Sequence, residues 1–125
     1  MSDRPRRQRT SAELAALDVR AGAPRLAGDA VEAGLAALPG WSVDAGALRK
    51  AYRFADWRAT IAFVNAVADL ADRADHHPDL AVGFGRCTVA WTTHDAGGIT
   101  RNDLACAART EALADGACAF AASGR

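Results

Sequence analysis

The stretch at residues 56–93, DWRATIAFVNAVADLADRADHHPDLAVGFGRCTVAWTT, decides the fold because a long helical pattern is followed directly by strand patterns. Asp56 is a predicted N-cap, since its side chain can accept a hydrogen bond from the first free N–H groups of a helix. The helix should end near Asp75, because residues ahead of Pro78 are pushed out of the α region. One apolar stripe with helical spacing is expected to face the core: Trp57, Ile61, Val64, Ala68 and Ala71, widened by Val67 and Leu70.

Hairpins are predicted on both sides of this helix. Residues 41–43 and 48–54 alternate between apolar and polar side chains around a turn at residues 44–46. After the helix, residues 80–84 are interrupted by glycine, and residues 87–93 are rich in the β-branched and aromatic side chains that favour strands. The sequence therefore predicts four strands arranged as two hairpins.

Two further helices complete the pattern. The first is predicted to begin with Asp29 as its N-cap and to stop at residues 39–40, Pro-Gly. The last opens with the capping-box arrangement from Thr100 to Asp103 and should stop at about Gly116. The order helix, hairpin, helix, hairpin, helix predicts an α+β fold, a four-stranded antiparallel sheet with helices packed on one face.

The composition of the 125 residues is that of one globular domain. Fifteen Lys and Arg residues balance fifteen Asp and Glu residues, so the net charge is zero and a general nucleic-acid binder is not expected. A chain of this length can bury a core without disulfides or metals, and no apolar run reaches the roughly 20 residues of a membrane span. Three cysteines without C-x-x-C spacing (Cys87, Cys106 and Cys118) predict buried reduced thiols and a cytoplasmic location.

Three segments are predicted along the chain. Residues 1–25 are expected to form a flexible N-terminal extension, in which the Ala/Leu stretch at residues 12–17 has little to pack against. Residues 26–118 form the folded domain, and residues 119–125 form a C-terminal tail. Residues 1–9 carry four arginines against one aspartate, which indicates a disordered arm or, alternatively, an arm that binds nucleic acid or an acidic partner.

All three histidines of the chain fall in one short window. His76 and His77 lie where the long helix is predicted to end, and His94 lies where the last strand ends, so the three side chains can converge on one cleft. Asp72 precedes His76 by four residues, a spacing that places a carboxylate beside the imidazole on one helix face. Because histidine exchanges protons near neutral pH, such a set suits acid/base catalysis.

Three interpretations of this window stay open from the residues alone. In the first, His76 is favoured by the helix macrodipole and His94 is bonded to the backbone of a turn, and neither is catalytic. In the second, the three imidazoles bind zinc together with Asp95 or Cys87, although adjacent histidines rarely bind one ion together. In the third, the histidines form a metal-free acid/base site.

The spacing of residues across this window resembles the signature of the pterin-4a-carbinolamine dehydratase family. The match consists of an acidic residue and His-His-Pro, followed by an aromatic residue, a histidine and an aspartate at the gaps found in the family: Asp72, His76, His77, Pro78, Phe84, His94 and Asp103. Similarity continues in residues 38–41, 62–65 and 92–100. It covers roughly residues 26–113 and leaves the two ends of the chain unmatched.

The resemblance implies a dehydratase that needs no cofactor and no metal. Such an enzyme removes water from 4a-hydroxytetrahydropterin and gives quinonoid dihydropterin, which a reductase then recycles. The resemblance assigns acid/base catalysis and pterin placement to His76, His77 and His94. It implies that Asp72 supports the first histidine and that Phe84 offers an aromatic face to the pterin ring.

Pro78, Asp95 and Asp103 are the remaining supporting or substrate-binding positions that the resemblance implies. Asp103 has a second interpretation, as the N3 residue of the capping box. The resemblance also implies a homodimer or homotetramer. Two alternative functions stay open: an interaction module, because animal members of the family also stabilise the dimer of a homeodomain transcription factor, and the processing of another pterin, such as a molybdopterin-type intermediate.

Overall fold

A long helix between two β-hairpins forms the framework of the computed structural model, which describes residues 9–115. The elements in chain order are α1 (Ser11–Ala15), α2 (Gly28–Leu35), β1 (Ser42–Asp44), β2 (Ala47–Arg53), α3 (Trp57–Ala74), β3 (Asp79–Gly83), β4 (Arg86–Trp91), a 3-10 turn (His94–Ala96) and α4 (Arg101–Asp115). Among residues 9–115, no helix is both long and apolar enough to cross a bilayer.

The four strands form one antiparallel sheet in the order β1-β2-β4-β3. Leu48 of β2 pairs with Trp91 of β4, and Asp79 of β3 pairs with Ala90 of β4. The start of β3 and the end of β4 therefore lie at the same end of the sheet, where the histidine window is found. The predicted α+β fold with a four-stranded antiparallel sheet is confirmed.

The helix α3 begins and ends as predicted. The Asp56 side chain accepts a hydrogen bond from the Ala59 N–H at 2.8 Å. At the other end Asp75 adopts the left-handed conformation, with φ at 51°, and breaks the helix three residues before Pro78. Both ends follow from local chemistry. A carboxylate caps the start of the helix, and the residues ahead of Pro78 are disfavoured in the α conformation at its end.

The buried face of α3 differs from the predicted stripe. Trp57, predicted to be core, is 49% exposed, and the buried residues of the helix are Ala59, Thr60, Phe63, Val67, Leu70 and Ala71. The hydroxyl of Thr60 donates a hydrogen bond to the Asp56 carbonyl at 2.7 Å. Because this polar side chain forms its hydrogen bond within its own helix, it can be buried. A stripe predicted from apolar residues alone omits Thr60 and is therefore centred on the wrong part of the helix surface.

The core lies between one face of the sheet and the helices α3 and α4. Its largest fully buried side chain is that of Trp91, whose indole N–H donates to the Thr110 hydroxyl at 3.1 Å. Phe63 is completely buried against the same cluster. Cys87 and Cys106 are buried free thiols, as predicted, and Cys118 lies outside the described residues.

The outer helices differ from the expected boundaries in two ways, and the first is that α2 ends at Leu35 rather than at residues 39–40. The helix α2 begins at Gly28 with Ala27 as its N-cap, so Asp29 lies in the first turn and is not the cap. For α4, the predicted start is confirmed, because the backbone N–H of Asn102 donates to the Thr100 hydroxyl at 3.1 Å. The predicted stop at Gly116 lies outside the described residues.

The segment before α2 packs on the domain. Leu14 of α1 is only 1% exposed and belongs to the core cluster. The Arg109 side chain of α4 donates to the carbonyls of Ala15 and Leu17 at 2.9 and 2.7 Å. The expectation that residues 12–17 have little to pack against is therefore wrong, because one apolar side chain and two carbonyls find partners on α4. A domain boundary at residue 25 stays a prediction.

Candidate active site

His76 contacts the buried carboxylate of Asp103, which lies 27 residues later in the sequence. Its Nε2 lies 2.6 Å from Oδ1 of Asp103, which is fully buried, while the His76 side chain keeps 13% exposure. The imidazole also stacks on the Trp91 ring, with 5.6 Å between ring centroids and 20° between the planes. One edge and one face of the imidazole are thus fixed, and the ring reaches solvent on its remaining side.

The second oxygen of Asp103 is held by the start of α4. Oδ2 accepts hydrogen bonds from the Thr93 hydroxyl at 2.7 Å and from the Thr100 N–H at 2.8 Å. Asp103 therefore caps the helix and also binds His76, so its two interpretations hold together. The Asp103 carboxylate accepts the hydrogen bonds from both Thr93 and Thr100, so we treat it as the acceptor toward His76 as well. The proton between Asp103 and His76 is therefore assigned to His76 Nε2, which leaves Nδ1 as the free ring nitrogen.

His77 points away from His76 and meets the other acidic residue of the window. Its Nε2 lies 3.1 Å from Oδ1 of Asp72, and both side chains are largely exposed. The implied support of His76 by Asp72 is therefore wrong. The spacing of four residues requires an unbroken helix, but the left-handed Asp75 redirects the chain before His76 is reached.

The third histidine lies on the 3-10 turn that follows β4. His94 is exposed, and its neighbours Thr93 and Asp95 line the same pocket as His76. The His94 side chain is not among the described residues that line this pocket. The turn thus places Asp95 in the pocket that His76 also lines. His94 and His77 are adjacent in sequence to residues of this pocket and are exposed to solvent.

Pro78 and Phe84 lie at opposite ends of β3. Pro78 directly precedes the strand at the histidine end, whereas Phe84 occupies the turn between β3 and β4 and is 75% exposed. A strand of five residues spans about 16 Å. Within one chain Phe84 therefore offers no aromatic face to the histidines, and the ring that contacts His76 is that of Trp91. Spacing in the sequence could not show this, because the direction of the hairpin separates the two positions.

The pocket beside His76 has a volume of about 750 Å³. This lies within the range of about 300–1,000 Å³ that is typical of small-molecule sites. Its lining joins the ends of α3 and β4 to a segment before α2: Val19, Arg20, Ala21, Gly22, Ala23, Pro24, Arg25, Ala74, Asp75, His76, Thr93, Asp95, Ala96 and Asn102. Sequence reasoning missed residues 19–25, since no periodicity or motif marks them beyond the turn signal of Gly22 and Pro24.

Comparison with known proteins identifies this arrangement. The profile of the family described as pterin 4 alpha carbinolamine dehydratase matches residues 24–113. The chain belongs to this family. It is accordingly a hydro-lyase of the pterin-4a-carbinolamine dehydratases, and the predicted resemblance is confirmed.

Individual relatives of this dehydratase support the assignment. A protein of Chromobacterium violaceum that carries the family name is 52% identical over 88 residues, which cover 70% of this chain and 82% of the relative. One from Paracidovorax citrulli is 53% identical over 83 residues, or 63% of this chain and 72% of the relative. The crystal structure of a transcriptional coactivator/pterin dehydratase from Brucella melitensis matches with a TM-score of 0.69 and 32% identity, covering 72% of this chain and 98% of that one.

The histidine window does not supply the set of ligands that the zinc interpretation requires. Among residues 9–115 of the dehydratase, no three His, Cys, Asp or Glu side chains are grouped so that they could hold a metal ion. The zinc interpretation required the three imidazoles to converge with Asp95 or Cys87. Cys87 is buried in the core, and His77 and His94 are exposed.

A second buried polar cluster of the dehydratase centres on Glu111, which sequence reasoning did not single out. Its Oε1 accepts hydrogen bonds from Trp41 Nε1 at 3.1 Å, from Lys50 Nζ at 2.6 Å and from the Tyr52 hydroxyl. Burial, together with the hydrogen bond and the negative charge of Glu111, raises the pKa of Tyr52 well above its usual value. The cluster lies two helical turns along α4 from Asp103, about 12 Å away, and joins α4 to β2.

Proposed function

We propose that the chain removes water from 4a-hydroxytetrahydropterin and produces quinonoid dihydropterin, with His76 as a general acid/base. The observation that carries this proposal is the contact between His76 Nε2 and the buried Asp103 carboxylate at 2.6 Å. It fixes one ring nitrogen of His76 on the protein and leaves the other for a substrate in the adjoining pocket. Family membership supports the pterin as the substrate class.

The reaction requires two proton transfers and no electron acceptor. The bond between C4a and the hydroxyl oxygen breaks, the leaving oxygen takes a proton and departs as water, and the proton on the neighbouring nitrogen is lost as its electrons form the new double bond. Neutral His76 can accept a proton at Nδ1, and its imidazolium can donate one from the same atom. Asp103 stabilises the imidazolium and fixes the tautomer, the role that an aspartate has beside a catalytic histidine in other enzymes.

His77 and His94 complete the proposed set for acid/base catalysis and pterin placement. His77 follows His76 directly, and His94 lies between Thr93 and Asp95, which line the pocket. Both imidazoles are exposed, so they can exchange protons with solvent. We assign Asp95 to substrate binding, because its carboxylate can accept hydrogen bonds from the amino and amide N–H groups of a pterin.

The proposal is tested by following the loss of a synthetic 4a-hydroxytetrahydropterin by ultraviolet absorbance. The purified protein is expected to accelerate dehydration well above the buffer rate, both with and without a chelator such as EDTA. His76→Gln should lower kcat by about 10²-fold or more, the usual contribution of a general acid/base. No acceleration by the parent protein would refute the dehydratase reaction, and loss of activity on chelation would refute its independence from metal.

A second candidate function is protein interaction. The related Brucella melitensis structure is described as a transcriptional coactivator as well as a pterin dehydratase. In this chain, Trp57 and Phe84 are large aromatic side chains with 49% and 75% exposure. We propose assembly into a homodimer or homotetramer. Sedimentation analysis of the parent and of His76→Gln separates the two functions, because an assembly role should survive the loss of catalysis.

A further inference from the structure

The segment before α2 forms one wall of the proposed pterin pocket. All seven residues from 19 to 25 line the pocket that His76 also lines. Within this segment Ala23 is 8% exposed and packs inward, while Arg20 and Arg25 are exposed. The wall therefore carries two exposed arginines beside the pocket that His76 also lines.

A side chain of α4 fixes this wall through two backbone contacts. Asn102, which is 4% exposed, accepts a hydrogen bond from the Arg20 N–H at 3.1 Å and donates one to the Arg20 carbonyl at 2.8 Å. Asn102 directly precedes Asp103, the partner of His76. One turn of α4 thus holds both sides of the pocket, the wall through Asn102 and the histidine through Asp103.

The wall is also anchored beyond Arg20. On one side, Arg109 binds the carbonyls of Ala15 and Leu17. On the other side, the Leu26 N–H donates to the Ile99 carbonyl at 2.8 Å. Because its two ends and its middle are bonded to the folded domain, the wall has a defined position relative to the pocket.

Arg25 is the residue of the wall best placed to recognise a ligand. A Cβ atom added at Gly98 would lie only 2.7 Å from Cδ of Arg25, so the aliphatic stem of Arg25 rests against this glycine. Among residues 9–115, no carboxylate forms an ion pair with Arg25, whereas Arg20 pairs with Asp18 at 3.6 Å. The Arg25 guanidinium can therefore donate hydrogen bonds to oxygen atoms of a bound molecule.

We infer that residues 19–25 are a specificity-determining wall that recognises the substituent of the pterin ring. On this inference, which rests on the proposed function, Arg25 donates hydrogen bonds to oxygen atoms of that substituent, and Asn102 is a positioning residue that holds the wall. Asp75 and Asp95 also line the pocket. These two carboxylates balance the charges of Arg20 and Arg25, so the lining carries no net charge to attract a free anion, and the preferred substituent is hydroxylated and uncharged.

The test compares two substrates that differ only in this substituent, the 4a-hydroxy adducts of 6-methyl- and 6-(1,2-dihydroxypropyl)-tetrahydropterin. Arg25→Met keeps the aliphatic stem over Gly98 and removes the guanidinium. It should raise KM for the dihydroxypropyl substrate about 10-fold, which is the loss of one hydrogen bond to a charged group. Its KM for the methyl substrate and both kcat values should stay within about a factor of two.

Arg53→Met is the matched control, because Arg53 is an exposed arginine at the end of β2 that lies far from the histidines. It should change neither KM. An equal rise of KM for both substrates in Arg25→Met, or no rise for either, would overturn the inference while the dehydratase reaction stands.

Binding of the unreactive 7,8-dihydro forms, followed by quenching of tryptophan fluorescence, separates this inference from the proposed function. If the parent dehydrates neither substrate but binds the dihydroxypropyl form more tightly than Arg25→Met does, the proposed reaction is refuted and the role of residues 19–25 in recognition is supported. If the parent dehydrates neither substrate and binds neither form, both fail.

The role of Asn102 is tested in the same way. Asn102→Ala should raise KM for the dihydroxypropyl substrate while kcat at saturation is retained, because Asp103 still holds His76. Thermal unfolding monitors whether the variant is folded. A fall in kcat with unchanged KM would contradict a positioning role, and if the variant does not fold, Arg25→Met decides the inference alone.

Discussion

Oδ1 of Asp103 lies 2.6 Å from Nε2 of His76, although 27 residues separate them in the sequence. The contact exists because Asp103 occupies the first turn of α4, where its other oxygen binds the Thr100 N–H. A helix cap and a proton-transfer pair therefore share one carboxylate. This sharing makes the position of the histidine depend on the start of the helix.

The first prediction concerns the charge of Asp103. In Asp103→Asn the amide oxygen can still accept the Thr100 N–H, but the amide N–H₂ then faces His76 and reverses its tautomer. We expect kcat to fall by about 10²-fold or more, because Nδ1 of the neutral ring can no longer accept a proton. The absorbance assay measures kcat, and circular dichroism checks that α4 persists.

Asp103→Ala provides the comparison for this variant. It removes the cap as well as the charge, so it should lower the melting temperature more than Asp103→Asn does, since a cap contributes about 1 kcal/mol. If the asparagine variant turned over substrate at the parental rate, Asp103 would be a cap only.

The second prediction concerns Asp72, which the sequence alone pairs with the wrong histidine. Asp72→Asn removes an exposed carboxylate that contacts exposed His77. Because solvent screens such pairs, we expect the melting temperature to stay near the parental value and kcat/KM to change by less than about threefold. A loss as large as that of Asp103→Asn would mean that Asp72, through His77, governs the rate.

The order of the elements could be predicted from the sequence because local chemistry decides each of them. The Asp56 cap, the stop at Asp75 ahead of Pro78 and the Thr100 capping box each act within a few residues, and all three are observed. The antiparallel sheet then follows from the order of the elements. Such signals need no knowledge of tertiary contacts.

The contacts of the site could not be predicted in the same way. Pairing Asp72 with His76 assumed an intact helix, which the left-handed Asp75 ends. The partner of His76 comes from α4, and the wall at residues 19–25 comes from before α2. Which residues meet across 27 or 82 positions depends on how the helices pack on the sheet.

The third prediction concerns the buried cluster around Glu111. Tyr52→Phe leaves the carboxylate with one donor fewer in a buried site, which should lower the free energy of unfolding by about 1.5–3 kcal/mol. Catalysis should be unaffected, because the cluster lies two helical turns from Asp103. Urea unfolding followed by tryptophan fluorescence measures the loss.

Thr92→Val is the control for this substitution, because it removes a hydroxyl that donates to the Gly46 carbonyl at an exposed position. Its cost should be below about 1 kcal/mol. If the two variants lost the same free energy, the Tyr52 hydroxyl would contribute no more than a surface bond.

The fourth prediction is a loss of stability at alkaline pH. Burial raises the pKa of Cys87 to about 11 and that of Cys106 to about 12, from an ordinary value of 9. Between pH 9 and the raised pKa of each thiol, the unfolded chain has released a proton that the folded protein still binds. The free energy of unfolding therefore falls as the pH rises. The stabilisation is complete below pH 9 and is lost as the pH rises through 11 to 12.

Urea unfolding between pH 8 and pH 11 measures this dependence, and each thiol can contribute a slope of up to about 1.4 kcal/mol per pH unit above 9. Cys87→Ala should make the curve shallower over this range, because the variant has no thiolate to release a proton at that position. A parallel experiment on Tyr52→Phe isolates the tyrosine, whose raised pKa contributes with the same sign above pH 10. A curve for Cys87→Ala that stays parallel to the parental one would show that the Cys87 thiol titrates alike in the folded and unfolded states.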